Sequence, residues 1–69
     1  MEVRAEMAAS VWQVSVAVGD TVAVDDVIVI LESMKMEIPV TSPVNGTVVR
    51  VHVNAGDNVL RGDKIADVE

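Results

Sequence analysis

Lys35 stands between two methionines in the run Glu32-Ser33-Met34-Lys35-Met36-Glu37, at the midpoint of a 69-residue chain that has one other lysine, Lys64. A primary amine becomes a nucleophile when it loses its proton, so such a lysine either reacts by itself or is acted on by another enzyme. Unaided reaction needs burial or a neighbouring cation to release the proton. The flanking charges here are Glu32 and Glu37, which favour the protonated form. Lys35 therefore reads as an amine that a second protein modifies. A lone lysine in a turn is ordinarily a solvated charge, and methionine ordinarily fills gaps in a core. Two methionines beside a lysine at a turn would expose apolar surface without cause unless a partner reads them.

No other constellation competes for chemistry. The chain has no cysteine, and its single histidine cannot form a histidine cluster. His52, between Val51 and Val53, falls on the opposite strand face from both and reads as a surface residue. Asp25-Asp26 hints at a cation, but its counterpart Gly62-Asp63 lies in an equivalent turn, so turn chemistry explains both. Trp12, the only aromatic, is expected to cover an edge of the core or to pack near a terminus. With no nucleophile–base pair, phosphate loop or metal spacing to assemble, the chain is expected to be non-catalytic.

The elements that position Lys35 follow from composition and periodicity. About half of the residues are apolar, 51%, and 17 of them are valine, whose branched Cβ suits a pleated sheet. The formal net charge of −6 leaves no basic patch for phosphates, which argues against nucleic acid. Val27-Ile28-Val29-Ile30-Leu31 is too short to cross a membrane, and Glu2 and Glu6 interrupt any secretory h-region. The expectation is one soluble, cytoplasmic, all-β domain over residues 1–69. That length is near the lower limit for folding on a hydrophobic core alone.

The chain also repeats itself at an offset of 37 residues. Val11, Val14, Val16, Gly19-Asp20, Val22, Asp26 and Ile28 recur as Val48, Val51, Val53, Gly56-Asp57, Val59, Asp63 and Ile65. Valine matches alone carry little weight, but the paired Gly-Asp steps carry more. Val14, Val16, Val18 and Val49, Val51, Val53 have the period of half-buried strands. Gly19 and Gly56 mark turns that need a backbone conformation other residues avoid, and Asp20 and Asp57 can bond the turn backbone. Each half reads as strand, tight turn, short strand, turn, strand. Units of about 30 residues cannot stand alone, so the halves are expected to pack face to face as two sheets. The result would be a flattened sandwich or barrel with pseudo-twofold symmetry. Between the halves, Val27–Leu31 and Ile38–Thr41 are placed to pair as a hairpin with Met34-Lys35 near its apex. A two-residue hairpin turn needs positive φ at both central positions, where Met and Lys are poor choices; a longer loop would relieve that.

Set within this repeat, Glu32-Ser33-Met34-Lys35-Met36, with Gly46-Thr47-Val48 downstream, resembles the attachment site of biotinyl domains, the biotin carboxyl carrier modules of biotin-dependent carboxylases. The resemblance runs from about Met7 to Val68. It implies two four-stranded antiparallel sheets with Lys35 on an exposed hairpin turn. Lys35 would carry biotin in amide linkage, attached by a biotin protein ligase using ATP. Met34 and Met36 would be the flanking residues that partners read, with Glu32 and Ser33 completing the motif. Biotin carboxylase and carboxyltransferase subunits would be the further partners, with the carboxyl group carried between their sites. Ser33 stands where alanine is commoner, Ala9 stands where many members have the glycine matching Gly46, and the protruding thumb of some carriers is missing. The length resembles free-standing bacterial biotin/lipoyl attachment proteins and would also suit a domain of a larger carboxylase subunit. Two rival readings remain open at this point. One is a lipoyl domain of a 2-oxo-acid dehydrogenase complex, whose site typically reads Asp-Lys-Ala; the other is an unmodified interaction domain of the same fold.

Overall fold

In the computed structural model, which describes all 69 residues, the chain forms eight strands and no helix. They are β1 (Glu2–Arg4), β2 (Ala9–Val14), β3 (Thr21–Val22), β4 (Val27–Ser33), β5 (Met36–Thr41), β6 (Gly46–Val51), β7 (Asn58–Val59) and β8 (Lys64–Val68). They make two four-stranded sheets in the orders β1-β8-β6-β3 and β5-β4-β2-β7, with every pairing antiparallel. With no helix present, none is long and apolar enough to cross a membrane.

The 37-residue repeat is real and organises the structure. Exchanging β1 with β5, β2 with β6, β3 with β7 and β4 with β8 turns one sheet order into the other. The expected division of one sheet per half is wrong. Each half contributes two strands to each sheet, so the halves interleave. The reason lies in the short turns: a strand of two residues such as β3 cannot cover its own half, so it crosses to pair with β6 of the other. Interleaving makes the core joint property. Ile28 and Ile65, repeat mates, are both fully buried among Val11, Val29, Leu31, Val48 and Val68.

Four turns of one design close the strands. The side chains of Asp20, Asp26, Asp57 and Asp63 each accept a hydrogen bond from the backbone N–H three residues earlier, at 2.8–2.9 Å. Gly19 and Gly56, at φ +98° and +94°, sit in the left-handed region as expected. Asp26 is thus a turn residue, and Asp25, mate of Gly62, takes the same left-handed conformation at φ 73°. The valine alternation, in contrast, outruns the strands. β2 stops at Val14 and β6 at Val51, and Val18 is well exposed. Strand β1, too short to show a period, escapes sequence reading, yet its Val3 is buried and it pairs with β8.

Trp12 does not cover the core. It is the extra residue of a bulge in β2, where Val11 pairs with Leu31 and Gln13 with Ile30, and it is half exposed. His52 lies just beyond β6 and does more than face solvent: its Nε2 is 3.0 Å from Asp67 Oδ2. That hydrogen bond, ahead of the nearby positive charges, holds the Asp67 carboxyl below the usual carboxylate range.

Gly46 marks where β6 meets the end of the chain. Thr47 and Glu69 exchange both backbone hydrogen bonds, and a Cβ on Gly46 would lie 2.5 Å from the Glu69 carbonyl oxygen and 2.9 Å from Val68 Cγ1. Gly46→Ala should therefore displace the last residues of β8 and cost about 1–3 kcal/mol, read as a lower urea midpoint. An unchanged midpoint would refute the close approach. β5 runs from the hairpin to Thr41, and five residues on Gly46 meets Glu69, so the chain ends lie opposite the β4–β5 tip.

Candidate functional site

The β4–β5 hairpin is longer than the sequence suggests. Pairing continues through Glu32↔Glu37 to Ser33↔Met36, leaving Met34 and Lys35 alone in the loop. Both have positive φ, 51° and 65°, the signature of the primed turn that fits the twist of paired strands. No longer loop relieves the strain. A left-handed conformation costs a residue with a Cβ roughly 1–2 kcal/mol, and the turn persists because six pairs below it hold the strands in register. The buried parts of that lever are Leu31, at the Ile38 level, and Val29, at the Val40 level.

This geometry predicts a stability trade at Met34. Asparagine tolerates the left-handed region because its short polar side chain can bond locally. Met34→Asn should raise stability by about 0.5–1 kcal/mol, measured by urea unfolding. A lower midpoint would mean that Met34 supports the turn and is not strained by it.

At the tip all three motif side chains project into solvent: Met34 is 92% and Met36 65% exposed, and Lys35 is exposed. Glu32 is exposed and Ser33 half-buried. The structure thus brings Glu32, Ser33, Met34, Lys35 and Met36 together at one apex. Lys35 makes no ion pair. Neither Glu32 nor Glu37 reaches it, and the ion pairs of the chain are Arg4–Glu2, His52–Asp67 and Lys64–Glu2. Lys64, the other lysine, lies in β8 with its ammonium 3.4 Å from Glu2. One amine is held against a flat sheet and the other stands free on a projecting turn. Both lysines are exposed, but Lys35 alone stands on a turn with no ion-pair partner.

The apex holds no second reactive group and no group of three or more metal-ligating side chains. One concavity, about 430 Å³, lies between β1 and β5 over Val3, Ala5, Leu31 and Ile38, and a second, about 550 Å³, lies over Val49, Arg50 and Asp67; none of residues 32–36 lines either. A rigid two-layer scaffold and one freely presented amine define an attachment domain. What is attached is not carved into the protein, because the arm extends away from it. Motif identity, with the turn geometry, carries that information.

Comparison with known proteins agrees with this class. The family model described as biotin-requiring enzyme, which covers biotin and lipoyl attachment domains, matches residues 2–68. The chain belongs to this family. It is 54% identical over 65 residues to the biotinylated protein TB7.3 homolog of Mycobacterium leprae, covering 94% of this chain and 92% of that one. It is 40% identical over 68 residues to the biotin/lipoyl attachment protein of Bacillus subtilis, covering 99% and 93%. Among solved structures, the Kluyveromyces lactis urea carboxylase matches all of this chain with a TM-score of 0.94 at 32% identity, over 6% of its own length. The chain thus spans nearly the whole of the short relatives and a small part of the carboxylases.

Proposed function

We propose that this chain is a biotin carrier domain in which Lys35 bears biotin through an amide bond. The observation that carries the reading is the hairpin: a two-residue turn at positive φ that projects one unpaired amine between two exposed methionines. The residues fit the group. Biotin needs a single accessible primary amine, and Lys35 supplies it with no neighbour to block the approach. Attachment requires Lys35 Nζ to give up a proton and form a C–N bond to a biotin carboxyl carbon already activated with ATP, as the activating group departs. The ligase supplies the activation and the base. Lys35 contributes position and the amine.

Once attached, biotin would accept a carboxyl group at a biotin carboxylase site and release it at a carboxyltransferase site. The chain's own part is mechanical. Ser33 and Met36, paired at the base of the turn, fix the direction of the Lys35 stem. The stem then confines the group to a small volume, which raises its effective concentration at both sites. No group of the chain joins in bond making after attachment, so it is a non-catalytic component. Biotin carboxylase, carboxyltransferase and ligase are its partners, in the cytoplasm where ATP is available. The similarity to carboxylases supports the carboxylase and carboxyltransferase partners.

Methionine on both sides of Lys35 supports biotin over lipoate, whose sites typically read Asp-Lys-Ala. Purified biotin protein ligase with ATP and biotin should load one biotin per chain, and lipoate ligase with ATP and lipoate should load none. Loading by lipoate ligase alone would reverse the assignment.

A further inference from the structure

Internal symmetry supplies a control for every position on the outer face of each sheet. On the sheet that carries Lys35, Gln13, Ile30 and Pro39 form one cross-strand row, with Trp12 in the bulge beside Gln13. Their mates 37 residues away are Arg50, Asp67, Glu2 and Val49. These form the equivalent row Arg50–Asp67–Glu2 on the other sheet, with Val49 in an equivalent bulge. The neighbouring row Val11–Leu31–Ile38 points into the core, so by strand alternation this row points out.

The fold therefore tolerates a charged row at this place and has one. On the lysine-bearing sheet the same row carries Ile30, Pro39 and a half-exposed Trp12. Two rows nearer the tip, next on the same outer face, Glu32 and Glu37 stand directly opposite each other, a like-charge cross-strand pair that costs stability in the free protein. Apolar row, acidic pair and Lys35 turn follow one another along the same two strands.

We propose that this outer face, centred on Trp12, Ile30 and Pro39 and bordered by Glu32 and Glu37, is the docking surface for the enzyme that loads Lys35. The proposal rests on the biotin-carrier reading. The loading enzyme meets the chain before the arm exists, so its affinity must come from protein surface alone. Partners that act later can also grip the attached group. An enzyme that activates a carboxyl group with ATP lines its site with cationic side chains to hold the phosphates. Such a site, brought over Lys35, sets positive charge beside Glu32 and Glu37 and removes their mutual repulsion. Trp12 is the kind of residue that dominates interface energetics when a partner covers it.

The test is steady-state loading of the apo chain by purified biotin protein ligase, with folding checked by urea unfolding. Trp12→Val combined with Ile30→Thr should raise KM for the chain at least about tenfold, the loss of one buried anchor, with kcat unchanged. Glu37→Gln should raise the urea midpoint and also raise KM, an opposition that a purely structural role would not produce. Arg50→Gln, on the control face, should leave KM within about twofold of the wild type, well short of an anchor's loss. If the wild type is loaded but the double variant keeps its KM, the docking assignment is overturned. If the wild type is not loaded at all, the carrier reading itself has failed.

Discussion

Lys35→Arg will abolish biotin loading and leave the fold intact. Arginine keeps the positive charge and a long flexible stem. Its guanidinium, however, is delocalised and never deprotonated in a protein, so it offers no nucleophilic nitrogen. The side chain touches no core residue and makes no ion pair, so nothing packed is lost. The backbone at φ 65° is equally uncomfortable for either residue. Stability should therefore stay within about 0.5 kcal/mol of the wild type, the usual range for an exposed substitution. The streptavidin signal after incubation with biotin protein ligase, biotin and ATP should vanish. Lys64→Arg should keep a full signal, because Lys64 is held in β8 beside Glu2. A signal surviving in Lys35→Arg would move the attachment to Lys64 and contradict the reading of the hairpin.

The largest stability effect is expected at the paired isoleucines. Ile28 and Ile65 are fully buried and occupy equivalent places in the interleaved sheets. Truncating either to alanine removes apolar contacts and leaves a cavity that β-sheet walls cannot collapse to fill, at a cost of about 2–5 kcal/mol. A chain of this length has roughly 3–10 kcal/mol in total at typical values per residue. Either substitution should thus take away a large share of the stability, and both together should unfold the chain at room temperature. Urea midpoints left unchanged by both would show that the repeat does not build the core. Because the two sites belong to opposite sheets, their similar cost would also confirm that the halves share one interior.

The fold was legible where two signals agreed. Gly19 and Gly56 each coincide with an aspartate at the same offset, so turn and repeat reinforced one another, and the structure bears out both. Valine alternation alone misled. Val16 and Val18 continue the period of β2 past its last paired residue, because alternation reports which face is apolar and not where pairing stops. The two-sheet architecture was readable, but not the distribution of strands between sheets. A two-residue strand such as β3 or β7 has no period of its own, and its partner is decided by three-dimensional closure. Met34 and Lys35 were expected near a hairpin apex from the flanking strands, and the structure places them there; Glu32 and Ser33 entered as motif residues through the resemblance. The positive φ at Met34 and Lys35 was foreseeable only as one of two alternatives, because loop length fixes it and sequence does not print loop length. Trp12 was missed as an exposed bulge residue. Nothing local distinguishes it from a core tryptophan until Ile30 is seen to pair with Gln13.

Peptide mapping after ligation will place the biotin amide on Lys35. In the unmodified chain trypsin cleaves after Lys35, giving residues 5–35 and 36–50. Once the Lys35 amine is acylated that bond resists cleavage, so the digest should contain one peptide spanning residues 5–50, heavier by a single biotin, with fragment ions placing the added mass on Lys35. Intact 5–35 and 36–50 peptides from a chain shown to be folded, or a biotin mass on the peptide containing Lys64, would contradict the account.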